Sequence, residues 1–212
     1  MAGHPRPRIW DLSQKLGPGL PVWPGDTAFE QARTWRMEDG SPVNVSAVTM
    51  STHSGAHADA PLHYSAAAPD IASVDLTAYV GECLVVDARG VGPLIEIGDL
   101  PHLNSADRVL FRTFDAFPSG EWDDDTTAIA PETIEWLAVQ GVKLVGIDGP
   151  SIDPQDSKNM LAHKAVLEHD IRVLEGLVLD DVEEGAYELI ALPLPIVGGD
   201  ASPVRAILRE LP

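Results

Sequence analysis

The chain runs to 212 residues, enough for one ordinary domain or two very small ones. Fourteen Lys and Arg against thirty-three Asp and Glu leave a net charge of −19, which argues against binding a nucleic-acid backbone or docking on an anionic membrane. At 44% hydrophobic and 22% charged the composition is that of a folded globular protein, and the single Cys83 excludes both an internal disulfide framework and a thiolate zinc site.

No apolar run reaches the roughly 18 residues that a membrane span needs. The first twenty residues carry no apolar stretch ahead of a small-residue cleavage site, so a cytoplasmic protein is expected. Residues 1–8 are polar and proline-rich and are expected to fray; with no linker, repeat or low-complexity tract, 1–212 reads as a single domain. IWDLSQKL (9–16) is a short apolar stretch. GPGLPVWPGD (17–26) is too rich in glycine and proline for a helix or a central strand, and reads as a stiff loop carrying Trp23. Residues 43–49 alternate in the manner of a strand, with Val43, Val45, Ala47 and Thr49 on one side. CLVVDAR (83–89), RVLFRT (108–113) and KLVGIDG (143–149) are β-rich runs expected to be buried strands. Asp123 to Asp125 reads as a solvated acidic loop. TIEWLAVQG (133–141) and AHKAVLEHD (162–170) have helical spacing, with Gly141 as a stop. IRVLEGLVL (171–179), YELIALPLPI (187–196) and SPVRAIL (202–208) return to strand pattern. Strands outnumber helices and the helices fall between them, which predicts an α/β domain with a mixed β-sheet and a few short helices.

One segment concentrates the chemistry. His53-Ser-Gly-Ala-His57-Ala-Asp59-Ala-Pro-Leu-His63 places four potential metal ligands in eleven residues, in a chain with seven histidines. On an ideal strand His53 and His57 would lie roughly 13 Å apart. On an ideal helix Asp59 would point about 120° away from His53. A bent backbone is therefore required; Gly55 supplies the freedom, and Pro61 stops a helix from running through Asp59. Isolated histidines are usually surface or core residues, but this spacing is hard to attribute to chance. Three ligands with an open position make a catalytic centre, and a further histidine not needed as a ligand, His63, suits proton transfer. A second contribution is expected from the distal region, where His163, Glu168, His169 and Glu175 all qualify. His4 and His102 have no polar company and read as surface or structural.

HSGAHADAPLHY resembles the signature of the cyclase-type metal-dependent hydrolases, and the likeness extends through VWPGD, KLVGIDGPSIDP, HKAVLEHDIRVLEGL and LPLPIVGGDASPVRAIL. The short length and the VWPGD loop favour the kynurenine formamidase (arylformamidase) branch over the isatin hydrolases. The resemblance implies a cyclase-like swivelling β/α/β fold and a homodimer. It implies two zinc ions per subunit, or manganese in their place: His53, His57 and Asp59 on one, Asp59, His163 and Glu175 on the other. His63 matches the family's proton donor and acceptor, and Trp23 a substrate-contacting position. The implied reaction is hydrolysis of N-formyl-L-kynurenine to formate and L-kynurenine in tryptophan catabolism. A cyclic amide or lactone on the same site is the alternative. Two positions depart from the pattern: Ala56 stands where threonine is usual, and Gly176 where a polar residue such as Asn is expected.

Trp23, braced by Pro21 and Pro24, offers a flat face to an aromatic ring. Trp10, Trp35, Trp122 and Trp136 read as packing residues, and Cys83 as a small buried hydrophobe. A serine hydrolase is disfavoured, because no Gly-x-Ser-x-Gly elbow occurs and Ser151 reads as a turn residue.

Overall fold

The computed structural model describes residues 7–118, 120, 122 and 125–211. In chain order the elements are β1 (Ile9–Asp11), β2 (Glu30–Trp35), β3 (Val45–Thr49), β4 (His57–Asp59), α1 (Pro61–Tyr64), β5 (Val80–Asp87), β6 (Leu94–Ile95), β7 (Arg108–Arg112) and β8 (Ala128–Ile129). There follow α2 (Pro131–Val139), β9 (Leu144–Ile147), α3 (Leu161–Glu168), β10 (Arg172–Glu175), β11 (Gly185–Ile190), β12 (Ala201–Pro203) and β13 (Ile207–Arg209).

Nine strands form one mixed sheet in the order β1-β13-β11-β5-β7-β9-β10-β4-β12. Its centre, β5-β7-β9-β10, is parallel, and the flanking pairs are antiparallel. The central runs are buried on both faces, as expected of strands under crossover helices. Alternate residues divide between two apolar clusters. Val86, Phe111, Val145, Ile147 and Val173 pack under α2 and α3, while Cys83, Val85, Leu110, Leu144 and Leu174 face Leu12, Leu189 and Leu208. Cys83 is buried, as its apolar neighbours imply, and burial pushes its thiol up to about 12.

The predicted α/β domain with a mixed sheet is what forms, with differences at several elements. The strand in 43–49 exists, but it pairs with β2 in a separate two-stranded sheet whose residues are all exposed. The run 171–179 stops at Glu175, because Gly176 turns the backbone to φ +63°. The run 187–196 stops at Ile190, ahead of two prolines that cannot donate to a ladder. SPVRAIL splits into β12, at one edge of the sheet, and β13, next to the strand at the other edge. Of the expected frayed start, Arg8 is described and tied down: its N–H donates to Glu210 and its guanidinium lies 4.5 Å over Trp10. His4, Asp123 and Asp124 lie outside the described residues, and His102 is exposed.

Candidate metal centre

The sheet itself assembles the site. β4 runs antiparallel to β10, with Glu175 opposite His57 and Val173 opposite Asp59. Residues two apart on a strand share a face, so His57, Asp59 and Glu175 point to one side, the side covered by α3. The intervening Ala58 and Leu174 go into the apolar cluster on the other. Helix α3 closes the crossover from β9 to β10, and its first turn brings His163 down onto the carboxylates. Gly55, at φ +65°, bends the chain so that His53 returns to the same spot, the bend that the motif spacing required.

The resulting geometry is that of two carboxylates shared between two groups of imidazoles. Asp59 Oδ1 lies 3.2 Å from His53 Nδ1 and 3.6 Å from His57 Nε2, while its Oδ2 lies 3.3 Å from His163 Nε2. Glu175 repeats the division, with Oε2 3.4 Å from His57 Nε2 and Oε1 3.5 Å from His163 Nε2. Outer partners fix the rings. His57 Nδ1–H donates to the Gly55 carbonyl at 2.8 Å, and His163 Nδ1–H donates to Asp153 at 2.7 Å. A carbonyl or carboxylate only accepts, so each Nδ1 carries a proton and each Nε2 is left as the nitrogen directed at Asp59 and Glu175. Asp153 is itself held by the backbone N–H groups of Ala162 and His163.

These residues fit a metal. Asp59 is fully buried and Glu175 nearly so, yet Asp59 Oδ1 and His57 Nε2 have no hydrogen-bond partner. Buried polar atoms are rarely left unpaired, and here the unpaired atoms are a carboxylate oxygen and an imidazole nitrogen aimed at each other. His53, His57 and Asp59 offer ligand atoms close enough for one ion. Without a cation the groups compensate one another. Burial works against protonating His53, but Asp59 and Asp200 outweigh it and raise it to about 9. Burial likewise opposes protonation of His163, which Asp153, Asp59 and Glu175 hold well above the usual imidazole value. Burial and repulsion from Asp59 push Glu175 up, yet His163 and His57 keep it below its ordinary value.

Gln14 ties β4 and β10 together past the end of their ladder. Its amide donates to the Gly176 carbonyl at 2.6 Å, and its Oε1 accepts the Ala56 N–H at 2.7 Å. Ser151 makes a local turn contact with the Asp153 N–H, in line with its reading as a turn residue.

A cleft of about 530 Å³ opens over the cluster, with His53, His57, His63, His163 and Glu175 in its lining. His63, on α1, is only partly buried, with Nδ1 3.6 Å from Asp200 Oδ2. Burial, helped by the neighbouring His53 and His163, holds it below its ordinary value, with Asp59 opposing. Trp23 lines the cleft as expected. Trp122 does too, contrary to its reading as a packing residue: the two rings meet edge to face at 5.2 Å, and Trp122 donates to Gln155. Phe114 and Phe117 complete an aromatic wall that the sequence did not flag. Trp35, also expected to pack, is 57% exposed on the hairpin. Glu168 and His169 are exposed at the end of α3, so of the four distal candidates only His163 and Glu175 reach the cluster.

The Cyclase family model matches residues 10–154. The chain belongs to that family. It is 68% identical over 205 residues to the kynurenine formamidase of Erythrobacter litoralis (strain HTCC2594), covering 97% of this chain and 95% of that protein. It is 56% identical over 207 residues to the kynurenine formamidase of Maricaulis maris (strain MCS10), with 97% and 99% covered. Among solved structures, a potential metal-dependent hydrolase with cyclase activity superimposes with a TM-score of 0.83 at 30% identity, covering 97% of this chain and 99% of that one. The family's fold is thus the curled mixed sheet with few short helices described above. No helix among the described residues is long and apolar enough to cross a membrane.

Proposed function

We propose that the chain is a cytoplasmic, zinc-dependent kynurenine formamidase that hydrolyses N-formyl-L-kynurenine to formate and L-kynurenine. The observation that carries the reading is the division of Asp59 and Glu175, each with its two oxygens directed to different histidines. On this reading His53, His57 and Asp59 hold one ion, and Asp59, His163 and Glu175 hold the other. Bound there, zinc, or manganese in its place, supplies Lewis acidity toward the formamide carbonyl and a water made nucleophilic near neutral pH. The chain's own residues do the rest. Trp23, with the edge of Trp122, takes the substrate's aryl ring, and the aromatic wall excludes water around it. His63, its Nδ1 toward Asp200, gives a proton to the arylamine nitrogen as the C–N bond breaks, so that the amine departs neutral.

The test is kynurenine formation by zinc-loaded protein beside His63→Ala, with metal content measured in both. Turnover by the wild type, lost in the variant at two ions per chain, supports substrate and role together. Hydrolysis of isatin instead of the formamide would move the assignment to cyclic amides.

We also propose that the chain is a homodimer, as the family likeness implied. Supporting this, the β2–β3 hairpin exposes Trp35, Val45 and Val48 on a two-stranded sheet, an arrangement that is marginal in water unless covered. Light scattering on the wild type and Trp35→Glu checks it, the variant being expected to run at half the mass.

A further inference from the structure

His57, His163 and His53 each turn one ring nitrogen toward the Asp59–Glu175 pair. The opposite nitrogen meets an acceptor: the Gly55 carbonyl for His57 and Asp153 for His163. For His53 it is Asp200, whose Oδ2 lies 3.2 Å from Nε2. This third acceptor is shared, because the same oxygen lies 3.6 Å from His63 Nδ1 and the two rings have centroids 4.3 Å apart. Asp200 is itself held in place. The Thr52 hydroxyl donates to its Oδ1 at 2.9 Å, and its carbonyl accepts the Ala60 N–H at 2.8 Å. Ala201, next in the chain, pairs with Asp59 across β12 and β4. The strand that carries Asp59 therefore also fixes where Asp200 stands.

We propose that Asp200 is a positioning residue that serves two histidines at once: it holds the His53 ring with Nδ1 free for the metal, and it steadies the His63 ring at the cleft. The inference rests on the reading of His53 as a metal ligand and His63 as the proton-transfer group. A carboxylate only accepts, so Asp200 keeps a proton on His53 Nε2, and Nδ1, the nitrogen that faces Asp59, is the one that would give up its proton to a metal. Asp200 is not among the residues lining the cleft, so it acts through the two rings and not on the substrate.

Zinc dissociation constants of metal-free wild type, Asp200→Ala and Asp200→Asn, measured by competition with a chromogenic chelator, test the first role. The second is tested by kcat and KM for N-formyl-L-kynurenine at saturating zinc. Loss of the outer partner weakens zinc by about 10- to 100-fold in Asp200→Ala. Asp200→Asn keeps an acceptor oxygen and the side-chain shape, so it restores most of the affinity and guards against a folding defect. With zinc saturating, Asp200→Ala lowers kcat while KM stays within about twofold, the pattern of a lost transition-state contribution. Wild-type zinc affinity and kcat in both variants would overturn the proposal while leaving the functional reading intact. A wild-type chain that takes up no zinc would sink both.

Discussion

Gly176 follows Glu175 directly and offers a sharp test of how β4 and β10 are spaced. Its φ is +63°, and a Cβ placed there would lie 2.8 Å from the Gly55 carbonyl oxygen and 3.3 Å from its carbon. Gly90 is a natural control: its φ is +73°, and a Cβ there meets nothing within 4 Å. Alanine at either position carries the left-handed penalty, roughly 1–2 kcal/mol, partly offset in both by a stiffer unfolded chain. Only Gly176→Ala adds a collision of side chain with backbone. Ordinary contact begins at 3.4 Å, so the segments must part by 3.4 − 2.8 = 0.6 Å, against the Gln14 amide that bonds both of them. Overpacking of that kind costs about 1–3 kcal/mol more. At roughly 3 °C per kcal/mol for a chain of this size, the metal-free melting temperature should fall about 3 °C in Gly90→Ala and about 9 °C in Gly176→Ala. Calorimetry of the two variants side by side decides. Equal shifts would refute the reasoning, since they would mean that the Gly55–Gly176 contact imposes nothing beyond backbone conformation. Asn at this position would meet the same contact. Asn tolerates left-handed backbone, but its Cβ would still press on Gly55.

Three further outcomes follow from the geometry. Trp23→Ala removes the flat face and its edge contact with Trp122, about 1 kcal/mol beyond area, so kcat/KM should drop roughly fivefold or more, chiefly through KM; steady-state kinetics in which kcat alone falls would contradict a binding role. Glu175→Gln should reduce bound metal below the wild-type content by elemental analysis: the Ile152 N–H donates to Oε1 and so fixes the amide oxygen there, which turns the NH₂ toward His57 Nε2 and occupies its lone pair. His53 is held up to about 9 in the metal-free protein, above its unfolded value of 6.5, so the stability it contributes is complete below pH 6.5 and is lost as pH rises through about 9. Metal-free protein should accordingly melt lower at pH 9 than at pH 6.5, and zinc binding at pH 7.5 should release protons, seen by calorimetry in buffers of different ionisation heat; zero release would contradict the protonated His53.

Much of the fold was legible because its centre is locally consistent. CLVVD, RVLFR and LVGI are apolar and β-branched, lie under crossover helices, and form where the pattern puts them. What the pattern hid are events at single residues. Nothing in the periodicity of IRVLEGLVL says that Gly176 turns left-handed and ends the strand, since the reason is the Gly55 backbone, distant in sequence. SPVRAIL likewise reads as one strand, although Val204 donates to Ala56 at one edge of the sheet while Ile207 pairs with Asp11 at the other. The alternation in residues 43–49 was real, but alternation reports two-sidedness and not which side is covered, and here both faces are exposed.

The site divides along the same line. His53, His57, Asp59 and His63 were legible because they lie within eleven residues and need only one bend, which Gly55 provides. His163 and Glu175 could be only two of four candidates from spacing, because their selection is tertiary: β10 lies antiparallel to β4 with Glu175 opposite His57, and α3 starts above that pair and carries Glu168 and His169 away to its far end. The outer partners left less trace. Gln14, Asp153 and Asp200 sit in DLSQKL, SIDP and GGDAS, segments whose local composition suggests turns and an apolar stretch, and their roles arise from bonds spanning from 10 to 162 residues of sequence. Such partners cannot be found by ligand spacing. They follow once the ligands are known, because a histidine that gives one nitrogen to a metal must place the other nitrogen's proton on an acceptor, and that requirement singles out the Gly55 carbonyl, Asp153 and Asp200 in turn.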